Sequence, residues 1–261
     1  MTTVYNINCG NINAHLPYDL VCHCLLLKDK NGIALVDAGM GYVDAAGSES
    51  GTRWFANKYG RRFNRDETAL AKLKKLGIRA KDVQHVILTH MDPDHIGGLA
   101  DFPRLTLHVS SEEYAHFQTG NDRYLGDQLD PNHSVKTYAQ SEERWFGLEA
   151  RRINVQFESD IFLIPLFGHT MGHCGVAISQ DDKWLLHIGD AYYLKAELEE
   201  LEGNSESLAL IHPEDEEQRI RSLEVIRRLI KDYHDQIEII SYHDPRDLPY
   251  TRQYVRHPDS N

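Results

Sequence analysis

The run Leu88-Thr89-His90-Met91-Asp92-Pro93-Asp94-His95-Ile96-Gly97-Gly98 packs four metal-ligand side chains, His90, Asp92, Asp94 and His95, into six residues. Val83 to Thr89, directly before it, reads as an apolar strand. A strand end delivers side chains into one pocket, and Pro93, Gly97 and Gly98 shape the loop that follows. One histidine here would pass for a capped surface residue; four ligand types together point to a metal. Three later segments repeat the pattern. Phe167-Gly168-His169-Thr170-Met171-Gly172-His173 follows a strand over 161–166, Ile188-Gly189-Asp190-Ala191 follows one over 184–187, and Ser241-Tyr242-His243-Asp244 follows one over 237–240. Asp37, after Ile33 to Val36, is a further instance.

The composition agrees. Fifteen histidines sit in a chain of 261 residues, with 28 Lys and Arg against 40 Asp and Glu and a net charge of −12. Collagen-like, coiled-coil and low-complexity classes are excluded. The acidic balance argues against nonspecific nucleic-acid binding. No apolar run approaches the roughly 18 residues of a membrane span. The cysteines, Cys9, Cys22, Cys24 and Cys174, contain no C-x-x-C pair and make no disulfide framework. With no secretory signal visible at the start, the expectation is a cytoplasmic protein with reduced thiols and a small-molecule substrate, with neither nucleic acid nor membrane as partner.

Outward from the ligand runs, Val4 to Ile7 and Val21 to Leu27 read as strands. Lys28 to Gly32 is a hairpin turn carrying Asn-Gly. Asn64-x-x-Glu67 makes a capping-box start for a helix with Ala69, Leu70, Leu73 and Leu76 on one face, and Gly77 stops it. Leu105 to Val109 is a strand, and Ser110 caps a helix to about Phe117. Val155 to Phe157, Ile161 to Leu166, Gly175 to Ser179 and Trp184 to Ile188 read as strands. Pro213 opens a helix to about Tyr233 with Ile220, Leu223, Ile226, Leu229 and Ile230 as its apolar face. Residues 119–150 read as an insertion or lid within one domain spanning 1–261. Residues 40–64 carry the aromatics Trp54, Phe55, Tyr59 and Phe63, which suit an acyl pocket or a homodimer contact. Strands then a helix, twice over, suggest two similar halves, each sheet covered by helices on one face.

Taken together, Asp37, the H-x-D-x-D-H run, His169, Asp190 and His243 resemble the five ordered motifs of the metallo-β-lactamase superfamily, over roughly residues 20–245. The resemblance implies an αβ/βα four-layer sandwich of two mixed β-sheets flanked by helices, with a two-metal site at one edge of the sheets. His90, Asp92 and His169 match the ligands of the first metal. Asp94, His95 and His243 match those of the second, and Asp190 matches the carboxylate that bridges both. Asp37 matches a supporting aspartate, and His173 a supporting histidine of the H-T-x-G-H segment. The common pattern is H-x-H-x-D-H, so Asp92 is a departure. The family implies two divalent ions, zinc in most members. A carboxylate at 92 is harder than imidazole and favours iron or manganese somewhat, as in the flavodiiron branch.

Two metals at about 3.5–4 Å polarise a carbonyl and lower the pKa of a shared water toward neutrality, which is hydrolytic chemistry. Val36-Asp37-Ala38-Gly39-Met40 and Asp190-Ala191-Tyr192-Tyr193 resemble the N-acyl homoserine lactonase branch. That resemblance gives Tyr193 a place over the metals against a substrate carbonyl, and gives Asp94 the proton for the leaving alkoxide. The leading expectation is a dinuclear hydrolase of a lactone or other carboxylic ester. A thioesterase of the hydroxyacylglutathione hydrolase type and a diiron redox protein are the alternatives.

Overall fold

The structure is a computed structural model and describes residues 2–12, 20–45, 61–62, 64–199 and 213–249. The aromatics Trp54, Phe55, Tyr59 and Phe63 lie outside the described residues. The first sheet holds β1 (Thr3–Ile12), β2 (Leu20–Lys28), β3 (Ile33–Val36), β4 (Arg61–Arg62), β5 (His85–Ile87), β6 (Thr106–Ser110) and β7 (Ser134–Tyr138), in the order β4-β1-β2-β3-β5-β6-β7. A small hairpin, β8 (Arg144–Trp145) and β9 (Leu148–Glu149), leads to the second sheet. That sheet is β10 (Arg151–Arg152), β11 (Ile161–Pro165), β12 (Cys174–Gln180), β13 (Lys183–His187) and β14 (Ile237–Ile240), in sequence order. Both are mixed: β3, β5, β6 and β7 run parallel and β13 pairs parallel with β14, while the other pairs are antiparallel.

The two-residue period of a strand sorts side chains into layers. Leu25, Leu27, Ala34, Val36 and Ile87 of the first sheet meet Ile161, Leu163, Val176 and Ile178 of the second in one core. Their alternating neighbours Cys22, Cys24, Leu26 and Leu35 pack outward beneath Leu70 and Leu73 of the helix Ala69–Lys75. Phe162, Ile164, Ala177 and Leu186 pack outward beneath Leu223, Ile226 and Leu229 of the helix Glu216–Tyr233. Helix, sheet, sheet, helix is the four-layer αβ/βα sandwich. Burial on both faces explains the apolar run of β3 and the mostly apolar β2, interrupted only by buried His23 before its exposed end at Lys28. All four cysteines are buried and none is in a disulfide.

Several local expectations need correction. Val155 to Phe157 forms no strand: Val155 N–H turns back to the Ile153 carbonyl, and Phe157 packs edge-on against His85. β5 ends at Ile87, short of Thr89, because Thr89 N–H leaves the sheet ladder for the Asp37 carboxylate. Asn64 caps only the 3₁₀ turn Arg65–Glu67, and Thr68 caps the helix Ala69–Lys75 by accepting from Ala71 N–H. Asp215 rather than Pro213 starts the long helix, accepting from Gln218 N–H. Ile220 and Ile230 of its expected apolar face are 43% and 39% exposed. Part of 119–150 is sheet rather than lid, since β7 extends the parallel edge at β6.

Two buried histidines set a pH limit on stability. Burial, then the neighbouring His187, pushes His23 down to about 3. Burial, then His85 and Lys136, pushes His108 to about 3. In the unfolded chain both titrate near 6.5, so between about pH 6.5 and 3 the unfolded state binds more protons. Stability is therefore whole above that window and declines as pH falls, by up to roughly 1.4 kcal/mol per pH unit for each histidine. Urea unfolding in chelator should show a lower midpoint at pH 5 than at pH 7. An unchanged midpoint would refute this.

Candidate metal centre

Asp37, His90, His169, Asp190 and His243 all lie just past the C-terminal ends of strands β3, β5, β11, β13 and β14. The strands therefore aim these residues at one edge of the sandwich. After β5 the chain turns through Thr89 to Asp92, and Pro93 opens the one-turn helix Pro93–Ile96 that carries Asp94 and His95. The His169 loop is wedged between two helix starts. A Cβ on Gly168, whose φ is +125°, would lie 2.1 Å from Arg219 N, and one on Gly172 would lie 2.0 Å from Glu113 N. Only glycine lets the backbone approach so closely.

The seven expected ligands converge. Asp190 stands at the middle: its Oδ2 lies 3.9 Å from His90 Nε2, 3.4 Å from His169 Nε2 and 3.2 Å from His243 Nε2, and its Oδ1 lies 3.3 Å from His95 Nε2. Asp92 Oδ2 is 3.4 Å from His90 Nε2 and 3.1 Å from His169 Nε2, and Asp94 Oδ2 is 3.5 Å from His243 Nε2. Donor groups suited to one ion are His90-Asp92-His169, Asp94-His95-His243 and His90-His95-Asp190. Ligands held about 2.0–2.2 Å from one tetrahedral ion lie roughly 3.3–3.6 Å apart, close to the 3.1–3.9 Å found. A second observation agrees: His90 Nε2, His95 Nε2 and Asp190 Oδ1 are buried without a hydrogen-bond partner. Orphaned polar atoms are costly in a dry interior, and a cation among them removes that cost.

Hydrogen bonds on the far sides of the rings fix which nitrogen faces the centre. His95 Nδ1–H donates to Asp37 Oδ2 at 2.8 Å. The same carboxylate accepts from Thr89 N–H at 2.9 Å and Thr89 Oγ1–H at 2.8 Å. Asp37 itself adopts φ +55°, a strained conformation for a non-glycine residue. His90 Nδ1 lies 3.0 Å from Thr89 Oγ1, and His243 Nδ1–H donates to the Val21 carbonyl at 2.8 Å. His173 is no donor to the centre. Its Nδ1–H goes to the Leu166 carbonyl and its Nε2 accepts Asp190 N–H, so it positions the central aspartate. Burial, then His90, keeps His173 well below its usual pKa and therefore neutral. Burial opposes charge on His95, but Asp190 and Asp37 outweigh it and hold that pKa well above the ordinary value. Tyr193 lies over the cluster, its ring 4.5 Å from His243 and 5.9 Å from His169. Burial, then Asp190, Asp94 and Asp92, raises its pKa far up, so it stays a phenol able to donate a proton.

Three further residues shape the site. The Tyr242 ring stacks on His95 at 3.8 Å, and its hydroxyl donates to the Asp94 carbonyl at 2.6 Å. Glu113, fully buried, accepts from Met91 N–H, Tyr124 OH, Thr170 Oγ1–H and Gly172 N–H, and so ties the two histidine loops together. Arg123 reaches in from the 119–150 segment. Its Nε donates to Asp92 Oδ1 at 2.6 Å and its terminal NH2 group to Asp92 Oδ2 at 2.5 Å, while the same NH2 lies 2.8 Å from His169 Nε2. Burial opposes the charge on Asp92, yet Arg123 and then His90 hold its pKa well below the carboxylate range. Burial, then Arg123, lowers His169 to about 4.

With this geometry in hand, the comparisons are direct. The chain matches the metallo-β-lactamase superfamily over residues 17–232 and belongs to that family. A probable metallo-hydrolase of Mycobacterium bovis is 35% identical over 201 residues, 75% of this chain but 64% of the relative's own length. An N-acyl homoserine lactonase of Azorhizobium caulinodans is 28% identical over 199 residues, covering 73% of this chain and 72% of that one. Among solved structures, an N-acyl homoserine lactone hydrolase with N-hexanoyl-L-homoserine at its catalytic metal centre superposes with a TM-score of 0.68 at 22% identity, over 93% of both chains. That likeness shows the shared fold.

Asp37→Ala should weaken zinc binding on the order of 10- to 100-fold, because His95 loses the carboxylate that orients it. Competition with a chromogenic chelator measures this. Unaltered affinity would show that Asp37 serves only the backbone of Thr89.

Proposed function

We propose that the protein is a metal-dependent hydrolase of a lactone or other carboxylic ester. The observation that carries this reading is the clustering of four histidines and two further aspartates around Asp190, with buried nitrogens and a carboxylate oxygen left unpaired at the centre. His90, Asp92 and His169 would hold one divalent ion, Asp94, His95 and His243 a second, and Asp190 would lie between them. Zinc suits the imidazoles; the carboxylate at Asp92 also suits iron or manganese. When bound, the ions supply a deprotonated water near neutral pH and a Lewis acid for the ester carbonyl.

The chain's own groups do the rest. Tyr193, held protonated, donates to the carbonyl oxygen as charge develops on it. Asp94, at the second donor set, would take up the proton that the attacking water gives up and pass it to the departing alkoxide. The Glu113 network and the Tyr242 stack hold both histidine loops still, so the groups meet the substrate prearranged. The sequence likeness to N-acyl homoserine lactonases supports a lactone as the ester.

The zinc-, iron- or manganese-reconstituted protein should be screened against lactones of graded acyl length, aryl esters, thioesters, phosphodiesters and β-lactams. Lactone or ester turnover should exceed the rest. Asp190→Asn should abolish it, and Tyr193→Phe should lower kcat about 10- to 100-fold with little change in KM. A preference for thioesters moves the reading to a thioesterase. Full turnover by Asp190→Asn would defeat the central role of that aspartate.

A further inference from the structure

Arg123 contacts the cluster as a metal would. Its guanidinium takes both oxygens of Asp92 and lies 2.8 Å from His169 Nε2. Arginine has donors only. In that contact His169 Nε2 accepts and so spends the lone pair that a cation would use, although the same nitrogen lies 3.1 Å from Asp92 Oδ2 and the opposite Nδ1 is buried without a partner. Two of the three donors of the His90-Asp92-His169 group are thus engaged by one fixed positive charge, whose fork matches a carboxylate bidentately. The arginine is also placed rather than loosely swung in. Its own N–H is held by Asn121 Oδ1 at 2.9 Å, and the next residue, Tyr124, is anchored through its hydroxyl to buried Glu113 at 3.0 Å.

His90 Nε2 of the first set, His95 Nε2 of the second and Asp190 Oδ1 between them have no hydrogen-bond partner, so the guanidinium engages the Asp92-His169 corner of the centre and leaves these three atoms open. Charge counting points the same way. Asp92, Asp94 and Asp190 carry three negative charges, and one divalent ion with one guanidinium carries three positive ones. A second divalent ion must displace Arg123 from Asp92 and His169 or share them with it.

We propose that Arg123 is a built-in competitor for the cation at His90-Asp92-His169. The centre then loads in two unequal steps: tightly at Asp94-His95-His243 with Asp190, and weakly where the guanidinium sits. This rests on the reading of the cluster as a metal centre.

The full-length apoprotein is titrated with Zn2+ by calorimetry, and its retained zinc is measured by elemental analysis after gel filtration. Arg123→Ala and Arg123→Lys are treated alike, with thermal unfolding as a check of folding. The wild type should keep one zinc per chain and bind a second weakly. Arg123→Ala should tighten the weak step on the order of tenfold or more and keep two. Arg123→Lys retains the charge without the fork, so it should fall between them and supplies the test if the alanine variant does not fold. Two equally tight equivalents in the wild type, or a weak step that neither variant moves, would overturn the role of Arg123. No zinc bound by any of the three proteins would overturn the metal-centre reading itself.

Discussion

Burying three carboxylates within a few ångströms of one another is the constraint on which this structure turns. Asp92, Asp94 and Asp190 are all nearly inaccessible, and Asp190 lies within 3.9 Å of four imidazole nitrogens. Such charges are tolerable in a low-dielectric interior only when compensated. Each surrounding feature answers that requirement. Histidines rather than apolar groups fill the spaces between the carboxylates, and a guanidinium closes one side. Where no protein group compensates, donor atoms are left bare for a cation.

Aiming those atoms is the work of the backbone. His243 and His173 each give Nδ1–H to a main-chain carbonyl, Val21 O and Leu166 O, and so the opposite nitrogen faces inward. His95 instead uses Asp37, a charged partner that also holds Thr89. The first sheet thus orients ligands that leave the second: Val21 on β2 fixes His243 beyond β14. The two halves meet in a common core, and relative slippage of the sheets would misalign the centre along with the packing.

Much of this was legible in the chain. Apolar runs and 3.6-residue periodicity marked most core strands and both outer helices, because burial on two faces leaves long apolar runs; the largely exposed edge strand β7 leaves none and lay in the stretch read as an insertion. The candidate donors were legible because the segments that carry them each follow such a run. The supports were less so. Ser110 reads as a helix cap, but nothing in the sequence marks Glu113, in the turn it caps, as the acceptor for four groups from other loops. Nothing in the sequence beside His243 marks Tyr242 for a role, since its stacking on His95 is a tertiary contact. Val155 to Phe157 had strand composition, but its apolar side chains are satisfied by packing, with no ladder needed.

Arg123 is the instructive omission. It lies in a polar stretch with no periodicity, and one arginine in such a stretch ordinarily faces water. Its meaning depends on Asp92. With histidine there, as in the common H-x-H-x-D-H pattern, a guanidinium would face neutral imidazoles and meet desolvation cost without a partner charge. With aspartate there, the same guanidinium gains a bidentate carboxylate and supplies a charge the buried cluster lacks. The departure at position 92 and the arginine 31 residues later are therefore two halves of one electrostatic arrangement. An aspartate at 92 raises the negative charge of that corner of the cluster and pairs with the protein's own cation there.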